Sequence, residues 1–304
     1  MKMVKVKGRF RGGESPRIRE LAFILNRIRR SPLSIAGIII VLFFTFIAIF
    51  APVLAHPQPN RDPYMMPRYG FSPIPRPPGP DFLFGTTEGQ YDLYYGIIWG
   101  ARTAYRIGVL VVAVSMIMGI VIGSIAGYYK GVIDEVLMRI TDIILAFPAL
   151  ILAMAFVVAF GRGLDSITFA LILVWWPSYA RLVRGEVLKI TTEDFVEAAK
   201  AAGASTFYII RKHILPNMIG PILVNLAFGV PGAMMTESGL AVIGMGVRPP
   251  MPSWGNLIGE GIGMMMAFPH LLIFPAVTFA FTLISFTFLA DGLRDAFNPR
   301  SEIS

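Results

Sequence analysis

Cysteine is absent from the 304 residues. That excludes disulfide frameworks, thiolate metal sites and cysteine nucleophiles. Charge is also scarce, at 15% of residues, where a soluble domain carries about 25%. The three histidines, His56, His213 and His270, lie far apart and form no metal-ligand pattern. Gly-x-x-x-x-Gly-Lys-Ser/Thr, Gly-x-Ser-x-Gly and His-Glu-x-x-His are all missing. The sequence thus offers no phosphate loop, no nucleophile elbow and no zinc-protease helix, and the chain cannot hydrolyse ATP by itself.

What is present is apolar. Hydrophobic residues make up 55% of the chain and the mean hydropathy is +0.65. Several long apolar runs place it in the membrane class, with room for about six spans and no large soluble domain. The runs predict helices over roughly 33–54, 105–127, 137–160, 164–182, 218–245 and 268–290. The fourth is short and carries Trp175-Trp176-Pro177. A proline at that depth needs neighbouring protein to satisfy the carbonyl it frees.

Charge placement orients the spans. The formal net charge is +8, and residues 1–32 alone hold ten Lys/Arg against two Glu. The first apolar run is longer than a signal-peptide core and lacks a convincing cleavage site, so it is expected to be a retained first span. With the N-terminus inside, the internal segments collect about twenty of the 27 basic residues. Arg61, Arg68, Arg76, Arg102, Arg106, Arg162 and Arg248 fall outside. That asymmetry predicts N-in and C-in. It accounts for the positive charge without nucleic acid. The organisation is then a basic internal tail over 1–32, a first span over 33–54 and an external proline-rich segment over 55–104. A five-helix core over 105–290 contains an internal loop at 189–217, and a tail over 291–304 closes the chain. Prolines 57, 59, 63, 67, 73, 75, 77, 78 and 80 make the external segment irregular. Its aromatics favour a partly ordered lobe over a linker.

The internal loop from Thr192 to Asn217 is the most informative stretch. Thr192 is a plausible N-cap ahead of Glu193 and Asp194. Glu197 to Ala202 has high helix propensity. Gly203 suits the turn that ends a helix, Ser205 or Thr206 can cap another, and Pro216 suits the first turn of the next span. Ala198, Ala199, Ala201 and Ala202 leave a small, smooth face. It fits either a docking surface or an ordinary connector lying on the membrane.

The series Glu197-Ala198-Ala199, Gly203, then His213-Ile214-Leu215-Pro216-Asn217 resembles the "EAA" loop of binding-protein-dependent ABC importer permeases, in its dipeptide/oligopeptide branch. Phe84-Gly85-Thr86 with Gly100-Ala101-Arg102 is similar to the same branch, as is Met138-Arg139-Ile140-Thr141-Asp142-Ile143 with Phe147-Pro148. So are Gly244-Met245-Gly246-Val247 with Pro252-Ser253-Trp254-Gly255-Asn256, and Asp291-Gly292-Leu293-Arg294-Asp295 with Pro299-Arg300. The long tail and single first span look like the C-type member of a permease pair. One stretch departs. Where the branch shows Gly-Arg-Asp after Gly-Thr-Asp, Gly85 to Asp92 lacks the arginine and has an acid displaced.

The resemblance implies an all-α integral membrane protein of type I ABC importer permease architecture, with six transmembrane helices, N-in and C-in, multi-pass in a prokaryotic inner membrane. It implies half of a translocation path for peptides or related solutes; oligosaccharides or nickel complexes are the alternative cargo. The coupling loop would be Glu197, Ala198, Ala199, Gly203, Ala204, His213, Leu215 and Pro216. The chain would hold no cofactor, ATP and Mg being bound by partners. Those partners would be a homologous permease, two cytoplasmic ATPase subunits, an extracytoplasmic solute-binding protein and membrane lipids, with no nucleic acid. A secondary transporter would instead show repeated halves with paired acids or broken helices, which the sequence lacks. An intramembrane enzyme would need convergent polar groups inside the spans, which are sparse.

Among ionisable groups inside spans, Glu237 stands out, flanked by Thr236 and Ser238. It is a candidate for the translocation path or a partner contact; the plain alternative is a structural hydrogen bond. Arg139 and Asp142, three apart, are expected to pair locally.

Overall fold

A computed structural model describes residues 27–29 and 31–297. The expected internal tail 1–32 therefore lies largely outside the described residues; of the tail 291–304, residues 291–297 continue the last helix and the rest lie outside them. The described chain is helical, with two isolated antiparallel bridges, Arg68 with Tyr91 and Thr86 with Asp92. In chain order the helices are α1 (Pro32–Leu54), α2 (Leu93–Tyr129), α3 (Gly131–Leu145), α4 (Ala149–Phe160) and α5 (Leu164–Ile190). They continue with α6 (Asp194–Ala201), α7 (Thr206–Ile209), α8 (Ile219–Val242), α9 (Trp254–Met264) and α10 (His270–Phe297). A π turn (Ile210–Ile214) and a 3-10 turn (Leu215–Met218) join α7 to α8 without a break.

Five of these units are long and apolar enough to cross a membrane, and the α3–α4 pair makes six if it is one span. That pair is bent by 86°. The apolar run 137–160 therefore does not form one straight helix. Pro148 disfavours helical geometry at Phe147 and supplies no amide hydrogen, so the chain turns there. The fourth span, short by composition, runs from Leu164 to Ile190 straight through Pro177. Ser115 of α2 donates to the Ile172 carbonyl (3.4 Å), five residues before that proline and next to the Leu173 carbonyl that the proline frees. Helix α2 begins at Leu93, a dozen residues ahead of its apolar run, because Asp92 accepts from the Tyr95 amide (3.2 Å) and caps it.

Helices α2 and α5 form the tightest seam. Gly119, Gly123 and Gly127 recur every four residues on α2. A Cβ at Gly123 would stand 2.5 Å from the Ala180 carbonyl oxygen, and one at Gly127 2.9 Å from that of Arg184. Small residues let backbones approach closely where lipid gives helices no hydrophobic reason to associate. The sequence displays this Gly-x-x-x-Gly-x-x-x-Gly pattern openly, but it is invisible to a search for chemistry.

The proline-rich segment is an ordered lobe. Trp99 Nε1 donates to the Ala55 carbonyl (3.0 Å), the Tyr95 hydroxyl to that of Pro63 (2.6 Å) and the Met66 amide to that of Pro250 (3.0 Å). Trp254, at the start of α9, is buried against Gly100 and donates to the Ile97 carbonyl (2.9 Å). The lobe and α9 thus lie together over the first turns of α2.

Candidate functional site

The loop after α5 is built from the inside outward. Val196 is fully buried (0% exposed) and joins Ile190, Ile209, Ile214 and Met218 in the core. This anchor, absent from the expected set, fixes α6 on the bundle. Lys200 adds a contact over the Tyr128 ring at the end of α2 (5.5 Å). Helix α6 starts from Glu193, not Thr192. The Thr192 hydroxyl donates to the Lys189 carbonyl at the end of α5 (2.8 Å), so its side chain is turned back towards that helix.

The exit of α6 is a Schellman turn. The Gly203 amide donates to Lys200 and the Ala204 amide to Ala199 (3.0 and 3.1 Å). Gly203 sits at φ +78°, which favours glycine. Ser205 then caps α7 by accepting from the Tyr208 amide (3.4 Å). Pro216 does not open a new helix; it lies inside the continuous one. The missing amide interrupts the ladder, and the register slips so that Leu215 donates to Ile210, five residues back. The Asn217 side chain donates to the His213 carbonyl (2.6 Å), one of the acceptors loosened there.

Of the expected loop residues, Glu197, Ala198, Gly203 and Pro216 are exposed, and Ala199, Ala204, His213 and Leu215 are half-buried. The His213 ring lies between Phe195 and Tyr208 (6.2 and 5.8 Å between ring centres). Three large side chains stay in the open: Phe195, Tyr208 and above all Phe207, 72% exposed. A shallow hollow of about 460 Å³ opens between Phe207, Tyr208, Arg211 and Lys212. These aromatics were missing from the expected set; their signal was apolar bulk in a loop otherwise rich in alanine and charge.

A second feature opens at the α3–α4 bend. A cavity of about 390 Å³ is lined by Phe147, Trp175, Ser178, Tyr179, Asn225 and Thr236, among others. Its walls are the bend, α5 and α8. The hydroxyl of Tyr179 occupies the space a Cβ would need at Gly229, and the Trp175 ring covers Gly232. Glu237 is not on this wall. It is 3% exposed and faces the other way, where the Ser253 hydroxyl donates to Oε1 (2.8 Å) and that of Ser238 to Oε2 (3.4 Å). Its neighbour Thr236 is the one that lines the cavity. Glu237 thus ties α8 to the chain entering α9, which is the structural hydrogen bond weighed against a path or partner contact.

The other charges also find partners across helices. Asp142 pairs with Arg181 of α5 (2.5 Å), not with Arg139, which faces Glu135 (3.8 Å). Arg184 of α5 forks onto both carboxylate oxygens of Asp134 in α3 (2.5 Å each). Among the described residues Asp291, Arg294 and Asp295 form no ion pair with one another.

In the lobe, Gly85 takes φ +82°, and a Cβ there would strike the Arg76 carbonyl and the His270 ring. Thr86 is buried and accepts from the Arg76 amide (2.9 Å). Gln90 is buried at φ +60°, a conformation suited to glycine, and donates to the Ile74 carbonyl (2.6 Å). Asp92 keeps its cap; burial pushes its carboxyl above its ordinary range, against the pull of the Tyr95 and Tyr94 amides. Gln90 thus holds a left-handed backbone and Asp92, two residues on, caps α2.

Comparison with known proteins agrees with this geometry. Residues 119–303 match the model of the binding-protein-dependent transport system inner membrane component. Residues 22–73 match the N-terminal TM domain of oligopeptide transport permease C. The oligopeptide transport system permease protein OppC of Bacillus subtilis is 36% identical over 279 residues, 90% of this chain and 88% of that protein. The dipeptide permease DppC of the same organism is 35% identical over 277 residues, covering 90% and 84%. The glutathione permease GsiD of Pectobacterium atrosepticum is 33% identical, covering 90% and 89%. Among solved structures, a chain of the inward-facing MetNI methionine ABC transporter superposes with a TM-score of 0.56 at 17% identity. It covers 67% of this chain and 97% of that one, and that likeness speaks to the fold.

Proposed function

The chain belongs to the family of binding-protein-dependent transport system inner membrane components, and from that premise we propose that it is one permease half of an ATP-driven peptide importer. Its similarity to oligopeptide, dipeptide and glutathione permeases supports peptides as the cargo. The family's members are permease subunits, so ATP and Mg are bound by separate ATPase subunits. A second permease completes the path and a solute-binding protein delivers cargo from outside. The orientation is N-in and C-in, with the loop 189–217 facing the ATPase and the lobe facing out.

The observation that carries the reading is the build of that loop. Helix α6 is held from below by Val196 and stopped by the Schellman turn at Gly203. Its solvent side offers Glu197, Ala198 and open aromatic side chains. Such a surface suits a cleft in another protein, with aromatic anchors entering pockets. The mechanical route follows from the chain itself. Thr206 to Val242 is one continuous helix, so the loop's second half is covalently the foot of the cavity wall. From Phe207 to Asn225 the rise is about 27 Å at 1.5 Å per residue. When ATP closes the ATPase pair, the two coupling loops are drawn together and the wall at Asn225 and Thr236 tilts; hydrolysis lets it return.

Replacing Gly203 by Val tests this in the assembled complex. A β-branched side chain at φ +78° breaks the turn that presents Glu197 and Ala198. Substrate-stimulated ATPase activity is expected to fall at least ~10-fold while the chain still inserts and assembles. Normal stimulation in that variant rules out the coupling role.

A further inference from the structure

The cavity at the α3–α4 bend has a chemistry that nothing above has used. Its lining contains no Asp, Glu, Lys, Arg or His. It consists of apolar and aromatic side chains with a few neutral hydrogen-bonding groups: the hydroxyls of Ser178, Tyr179 and Thr236, the amide of Asn225 and the indole N–H of Trp175. Asn225 spends its Nδ2 on the Pro221 carbonyl (2.9 Å), leaving Oδ1 as an acceptor. The Thr236 hydroxyl donates to Gly232 (2.9 Å) and keeps its lone pairs. The nearest charges along α3 and α5, Asp142 and Arg181, are paired with each other one turn below Leu145 and Ser178. Buried polar groups are costly unless bonded. A wall that stays apolar while offering unpaired neutral acceptors and hydroxyls suits a guest with its own amide donors.

We propose that this cavity is the chain's cargo-contacting surface, and that it recognises the uncharged amide backbone of a short peptide without reading the charge of its side chains. The proposal rests on the importer reading of the preceding subsection and adds the site and its selectivity rule. Trp175 and Phe228 supply flat walls along which a chain can slide, and Ser178, Asn225 and Thr236 supply exchangeable hydrogen-bond partners. A fixed charge on this wall would hold an opposite charge and repel a like one. Its absence lets acidic, basic and neutral peptides pass alike, and leaves charge discrimination to other subunits.

The absence of cysteine makes the test direct. The variants Ser178→Cys, Asn225→Cys and Thr236→Cys are placed singly in the full complex in vesicles, with Val277→Cys and Ile284→Cys on the exposed apolar side of α10 as controls. A hydrophilic, membrane-impermeant thiol reagent should label the three cavity positions, faster by at least ~10-fold than the controls, and a transported tripeptide should slow that labelling. Labelling no faster than the controls overturns the site.

The charge rule is read separately from Asn225→Asp. Uptake of neutral, Lys-containing and Glu-containing tripeptides is divided by the wild-type rate for the same peptide, which removes the binding protein's own preferences. The ratio for the Glu-containing peptide should fall at least ~10-fold below that for the Lys-containing one. Equal ratios overturn the rule while leaving the importer reading intact. A wild-type complex that carries a neutral oligosaccharide but no tripeptide overturns the amide assignment. A wild-type complex that carries neither overturns this proposal and the importer reading together.

Discussion

The two ends of the molecule handle their irregular chain in opposite ways. The lobe, residues 55–92, spends polar groups on itself and on its neighbours: Thr86 accepts from Arg76, Gln90 donates to Ile74, and Trp99 and Tyr95 of α2 donate to the Ala55 and Pro63 carbonyls. The loop of 191–217 keeps one fully buried anchor in its short helix, Val196, and leaves Phe195, Phe207 and Tyr208 facing solvent. A segment closed on itself holds its shape without help. The lobe exposes bulk as well, with Phe71 87% exposed, so exposure alone does not separate the two. What does is anchoring: hydrogen bonds from the buried Tyr95 and Trp99 tie the lobe into the frame, while under the proposed function the loop's open face is the contact surface.

Substitutions at three positions test that division, ordered by their effect on stability. Gly85→Val should be the most damaging. It forces a β-branched residue to φ +82° and drives a Cβ into the Arg76 carbonyl. The cost should be on the order of 3 kcal/mol, read as an earlier thermal midpoint in the fluorescence of the buried Trp99 and Trp254. An unchanged midpoint would mean that the lobe is not part of the frame. Asp92→Ala removes the cap of α2 and should cost about 1 kcal/mol. Asp92→Asn keeps an acceptor and relieves a buried carboxylate, so it should cost less than half of that; equal losses would show that the charge matters more than the cap. Phe207→Ser comes last, within ~0.5 kcal/mol of wild type, because its side chain is already in solvent. Its effect should appear elsewhere, as a ~10-fold loss of stimulated ATPase activity in the complex. A loss of stability with normal coupling would reverse the assignment of frame and contact.

Much of the helical frame is legible in the sequence because a span must satisfy its backbone internally and stay apolar for about 20 residues. Those demands mark α1, α2, α8 and α10 plainly. They do not mark the α3–α4 bend, since both halves are apolar and composition alone does not show which way a chain turns at Pro148. Nor do they separate a wall that faces cargo from one that faces lipid. Trp175, Phe228 and Thr236 look like any other span residues until α5 and α8 are brought together. Glu237 attracted notice for its charge, yet the side chain one position earlier lines the cavity. A helix turns by 100° per residue, so adjacent residues serve different surfaces. At the loop, motif spacing picked out Gly203 and Glu197, but Val196 and the open aromatics gain their meaning from what they touch or fail to touch.

The joint between loop and cavity wall has a further property. The π turn at Ile210–Ile214 is underwound, and the 3-10 turn at Leu215–Met218 that follows is overwound. Four residues at three per turn run ahead of α winding by about 80°, and the π turn lags in the opposite sense. The two errors of phase nearly cancel, so the faces above and below keep their relative bearing. If both turns rewound to plain α geometry, torsion would be exchanged inside the joint while neither end rotated against the other. A shaft with such a joint transmits tilt and keeps the faces at its two ends in register.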